Sequence, residues 1–152
     1  MFEVEIMKKL LIILFILVCV FGANAQTSKS KRLALPANLA KMKDADSAKL
    51  LDNPIIKTRL KRLLGKKSYA DFMESWETIN PIEKKGNFLF SSGCLIHACG
   101  HIESAIAIDL VKKTIHAGIF QQGIKSKLYN EDNQPTPKVL MDWFKNLSKI
   151  KQ

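Results

Sequence analysis

Hydrophobic residues recur at helical spacing in three stretches of the chain. Asn53-Pro54 reads as an N-cap followed by proline at the first helical position, and Gly65 closes the segment it opens. Inside it Ile56, Leu60, Leu63 and Leu64 share one face, while Lys57, Arg59, Lys61 and Arg62 cover the other. Ser68 is placed to cap a second helix carrying Tyr69, Phe72, Met73 and Trp76. Thr136-Pro137 opens a third, with Val139, Leu140, Trp143, Phe144 and Leu147 facing inward. A weaker helical pattern runs from Asp44 to Leu51. Between the second and third helices the period falls to two. Phe88/Phe90, Ile106/Ile108/Leu110 and Ile115/Ala117/Ile119 alternate with smaller or polar neighbours, as half-buried strands do. Lys112-Lys113 joins the last two as a hairpin, Ile124 to Tyr129 predicts a further strand, and Ile79 to Glu83 a first one. Helices, a run of antiparallel strands, then a helix is an α+β order.

The N-terminal segment has a different pattern. Residues 10–21 form a 12-residue apolar run, shorter than the roughly 20 residues of a membrane span. Lys8-Lys9 before it and Ala23-Asn24-Ala25 after it complete a secretory signal peptide over residues 1–25. Met7 suits the start of such a segment better than Met1, because Glu3 and Glu5 do not belong in a basic n-region. Cys19 follows Val18, not a small residue, which argues against a lipoprotein site. The expected organisation is signal peptide 1–25, a basic flexible arm 26–43, and a single domain 44–152, exported to the periplasm or, second, secreted. No further membrane span is expected.

Charge changes the picture in one region. The chain carries 24 Lys+Arg against 14 Asp+Glu, a net +10. Twelve of the basic residues lie between Lys29 and Lys67, with only Asp44, Asp46 and Asp52 among them. This arm and first helix suit anionic envelope polymers. No aromatic residue interleaves with these cations, so a base-stacking groove is not expected.

Candidate chemistry is concentrated in Gly93-Cys94-Leu95-Ile96-His97-Ala98-Cys99-Gly100-His101, at the junction of two strands. Once the signal peptide is removed, Cys94 and Cys99 are the two remaining cysteines, and an even count in an oxidising compartment favours a disulfide. A loop this short gains only about 2 kcal/mol from closure, so the bridge serves shape more than stability. Gly93 and Gly100 would allow sharp turns into and out of it. Three readings follow. The loop is a stapled hairpin with an incidental histidine, a rigid loop presenting His97 to a partner, or a zinc or copper(I) site built from Cys94, His97, Cys99 and His101. An oxidised cysteine cannot act as a nucleophile, and no Gly-rich phosphate loop, H-E-x-x-H or G-x-S-x-G motif occurs, so the chain is not expected to be an enzyme. His116 reads as facing solvent or a covering helix, and Asp109 as a turn residue.

Cys-x-x-His-x-Cys in an exported domain of this size, followed by alternating strands, resembles the inhibitor of vertebrate lysozyme, or Ivy, family, over residues 44–147. That family carries Cys-Lys-Pro-His-Asp-Cys at the corresponding loop. The resemblance implies a central antiparallel sheet of about five strands with helices on both faces, and no cofactor. It also implies that Cys94 and Cys99 constrain an inhibitory loop formed by Leu95, Ile96, His97 and Ala98. His97 would then occupy a lysozyme cleft, where an imidazole can serve a protonated and an ionised carboxyl group at once. This chain has Leu95-Ile96 where the family has Lys-Pro, and Ala98 where it has Asp. An exposed Leu95-Ile96 pair points to an apolar contact, with a changed target or with the protein's own core. The partner implied is lysozyme, first of the c-type; a second copy of the chain, in a homodimer, is a further candidate that the sequence leaves open.

Overall fold

A computed structural model of the chain describes residues 32–42, 47–124 and 126–149. The predicted signal peptide lies outside the described residues. Helices α1 (Ser47–Asp52) and α2 (Pro54–Glu74) precede six strands, and α3 (Lys138–Lys149) follows them. The strands are β1 (Thr78–Ile79), β2 (Glu83–Lys85), β3 (Phe88–Cys94), β4 (Ile102–Asp109), β5 (Thr114–Gln121) and β6 (Lys127–Asn130). They form one antiparallel sheet in the order β1-β3-β4-β5-β6, with β2 also paired to β3.

Asn53 starts α2 by accepting hydrogen bonds from the Ile55 and Ile56 amides at 3.0 and 3.4 Å, ahead of proline at the first helical position. Gly65 breaks the helix with φ +74° and ψ 170°, a left-handed conformation that glycine tolerates. The helix resumes immediately, so Ser68 lies inside it and is not its cap. The Ser68 hydroxyl instead accepts a hydrogen bond from the Tyr129 hydroxyl at 2.8 Å.

The expected half-buried strands are buried on both sides, because a helical layer covers each face. Ile106, Ile108, Ile115, Ala117 and Ile119 pack with Ile56, Leu60, Leu64 and Phe72 of α2. On the opposite face Ala105 and Ala107 pack with Phe90 and with Leu140, Val139 and Trp143 of α3. The small residues between the isoleucines therefore meet a second helix and not water. Gly118 shows how close that helix comes: a Cβ there would lie 2.6 Å from Cζ3 of Trp143. His116, on the same face, is buried, with Nδ1 2.8 Å from Asn130 Oδ1 and Nε2 3.1 Å from Thr114 Oγ1.

Two expectations on the basic segment change. Residues 32–42, assigned to a flexible arm, lie against the domain: Leu39 is buried, and Leu35 and Met42 pack on the core. Arg59, assigned to the solvent face of its helix, is buried and ion-paired with Glu131. Its guanidinium also donates to the Leu33 carbonyl at 3.1 Å and the Lys113 carbonyl at 2.8 Å. Four segments distant in sequence thus meet on one side chain.

Candidate functional site

Strand β3 runs through to Cys94 and β4 resumes at Ile102, so the Cys/His segment is a hairpin loop with a paired neck. Cys94 lies opposite Glu103 in register, and the Leu95 amide donates to the Ile102 carbonyl at 3.1 Å. A first turn follows, closed by the Ala98 amide donating to the Leu95 carbonyl at 2.9 Å. His97 occupies its third position with φ +63°. That region is uncommon for residues other than glycine, and histidine, like asparagine, is among the types that enter it more often. A second turn is closed by the His101 and Ile102 amides, both donating to the Ala98 carbonyl at 2.9 Å.

The Cys94–Cys99 disulfide brackets the first turn and ends within the second, with the Cα atoms 5.0 Å apart. Cys94 is buried in the strand and Cys99 is exposed on the loop. His97 is also exposed, and no hydrogen bond or ion pair among the described residues engages its ring. Leu95 and Ile96 are not equivalent. Leu95 is half-buried, whereas Ile96 is 52% exposed, among the most exposed large apolar residues described.

The two glycines also differ. Gly100 sits at the exit turn with φ +85°. Gly93 is not a hinge: it is paired inside β3 with Ile79 and Ser104. Its missing side chain makes room for the Trp76 ring, which a Cβ would meet at 3.1 Å. Trp76 in turn stacks on Phe72 with centroids 5.2 Å apart, a rigid aromatic floor beneath the loop's neck.

Three polar residues outside the Cys/His motif hold the loop. Glu77 accepts the Ile96 amide at 3.1 Å. Glu103 accepts the Gly100 amide at 2.8 Å on one oxygen and the Trp143 indole N–H at 3.3 Å on the other. His101 hydrogen-bonds Gln122 through Nδ1, and the Gln122 amide donates to the His101 carbonyl at 2.8 Å. Their identities carried no signal in sequence, because each acts through a strand register that must be known first.

With the disulfide formed, Cys94 and Cys99 offer no thiolate to a metal ion. No group of three or more His, Cys, Asp or Glu side chains among the described residues is placed to hold an ion. The carboxyl and phenol groups displaced from their ordinary ranges lie outside the loop. Burial pushes Tyr69 up, and the hydrogen bond from Lys138 holds Asp142 down. No helix of the described residues is long and apolar enough to cross a membrane.

Comparison with known proteins adds one finding. The family model described as inhibitor of vertebrate lysozyme (Ivy) matches residues 55–149, from the first turn of α2 to the end of α3. No match emerged among curated proteins or among solved structures. The family match spans more than half the chain, including both helical layers, the whole sheet and the disulfide loop: the chain belongs to the inhibitor of vertebrate lysozyme family.

Proposed function

We propose that this chain is an exported inhibitor of lysozyme and that it works by inserting the Cys94–Cys99 loop into the enzyme's cleft with His97 leading. The observation that carries this reading is an exposed imidazole, with no partner for its ring among the described residues, at the turn of a disulfide-closed loop. A lysozyme cleft offers two carboxyl groups, and the two nitrogens of one imidazole can engage both. Because the turn is already closed by hydrogen bonds and the disulfide, little conformational freedom is lost on insertion. Ile96, next to His97 and exposed, supplies an apolar contact to the cleft wall, while Leu95 turns partly toward its own domain. Residues 1–25 act as the cleaved signal peptide, and the periplasm is the working compartment.

Electrostatics are compatible with a basic target. Glu77 and Glu103 flank the loop, while Arg59 fastens its helix to the opposite end of the sheet, beside Lys113. Long-range repulsion is further reduced by screening beyond about 8 Å at physiological salt.

The test is a titration of c-type lysozyme activity with the oxidised chain starting at Gln26. Stoichiometric inhibition is expected, and His97→Ala should weaken it roughly 30-fold or more, the scale of an interface hot spot. Inhibition undiminished in His97→Ala would move the contact to Ile96, and no inhibition at micromolar concentration would remove c-type lysozyme as the target.

A further inference from the structure

The end of the molecule opposite the loop has its own surface chemistry. Register fixes its position: Cys94 pairs with Glu103 at the loop end of β3 and β4, and Phe88 pairs with Asp109 at the other. The β4–β5 turn, residues 110–113, therefore lies about 20 Å along the strands from the loop. Val111 at this turn is 67% exposed, and Lys112 and Lys113 beside it are exposed. Asp109 holds the turn from beneath, accepting the Val111 and Lys112 amides at 2.8 Å each while its own side chain is buried. The Arg59 guanidinium binds the carbonyls of both Lys113 and Leu33, which brings a second exposed apolar side chain, Leu33 at 43%, to the same end.

Two acidic groups near the turn are paired with arginines, while Asp109 lies buried beneath it. Glu131 pairs with Arg59, and Asp132 with Arg32. The helix on either side of Arg59 has no acidic residue between Asp52 and Asp71, and Lys57, Lys61, Lys66 and Lys67 are exposed along it. Exposed apolar side chains set among cations have the chemistry of an interfacial membrane contact. A polyanion without an apolar phase would leave Val111 and Leu33 unused.

We propose that this tip docks on an anionic phospholipid surface, leaving the His97 loop pointing away from it. The reading does not depend on inhibition of lysozyme. The test uses residues 26–152, which retain the whole compact unit from Arg32 to Gln152. The protein is sedimented with phosphatidylglycerol/phosphatidylcholine vesicles and with pure phosphatidylcholine vesicles. Binding should require the anionic lipid, and should fall about tenfold or more between 0.1 and 0.5 M salt. K112E/K113E should abolish it, and Val111→Ser should weaken it about threefold, with thermal midpoint and lysozyme titration unchanged in both variants. Equal binding to neutral vesicles, binding undiminished in K112E/K113E, or capture of nucleic acid without any vesicle binding would each overturn the proposal.

Discussion

Glu103 joins the disulfide loop to the C-terminal helix through a single carboxylate. Two N–H groups, of Gly100 and of the Trp143 indole, converge on it, and a carboxylate suits two donors because it offers acceptors alone. Glutamine in its place has one oxygen and one NH2 group, so one of the two donors would face another donor. Glu103→Gln should therefore accelerate hydrogen exchange at the Gly100 amide about tenfold, equivalent to roughly 1.4 kcal/mol, the size of one hydrogen bond. In a Trp143→Phe background the amide can turn its oxygen to Gly100, and the effect should shrink. Equal acceleration in both backgrounds would show that no bridge exists. His97 is constrained differently: at φ +63° a β-branched replacement would strain the turn as well as remove the ring.

At the scale of elements, Arg59 does the joining. It links α2, the segment before the first helical turn, the β4–β5 turn and the residue that follows β6. Glu131 is nearly buried and also accepts the Ile115 amide at 2.7 Å, so removing the guanidinium leaves a carboxylate largely out of water. Arg59→Met should cost about 3–5 kcal/mol in urea unfolding. Arg59→Lys should recover only part, since an ammonium lacks the planar fork that reaches three acceptors. A loss under 1 kcal/mol would mean that the pair is dispensable.

None of this was legible in sequence, where Arg59 sits among Lys57, Lys61 and Arg62 and its partner is 72 residues away. The N-cap at Asn53, the break at Gly65 and the hairpin at Lys112-Lys113 were legible because each is local chemistry. The isoleucine alternation located the strands, yet not the second helical layer, because alanine at 105 and 107 reads alike against water or against a helix. The disulfide followed from counting cysteines. The residues that hold the loop, Glu77, Glu103 and Gln122, required the register.

The molecule as a whole is polar along its sheet, with the loop at one end and the cationic turn at the other. Its disulfide should matter to one end only. Cys94→Ser/Cys99→Ser is expected to lower the unfolding free energy by about 2 kcal/mol, the value for so short a loop. Its affinity for lysozyme should fall by about tenfold or more, as an unconstrained loop must be ordered on binding. An unchanged inhibition curve would show that the turns alone hold His97. The sheet's outer edges carry a further consequence. The two strands paired to the outer side of β3 have two and three residues, and Pro81 stands between them; the far edge strand has four. Such interrupted borders present few consecutive amide and carbonyl groups to another chain. The folded protein can therefore accumulate without one sheet extending into the next, so growth into fibrils should demand unfolding first.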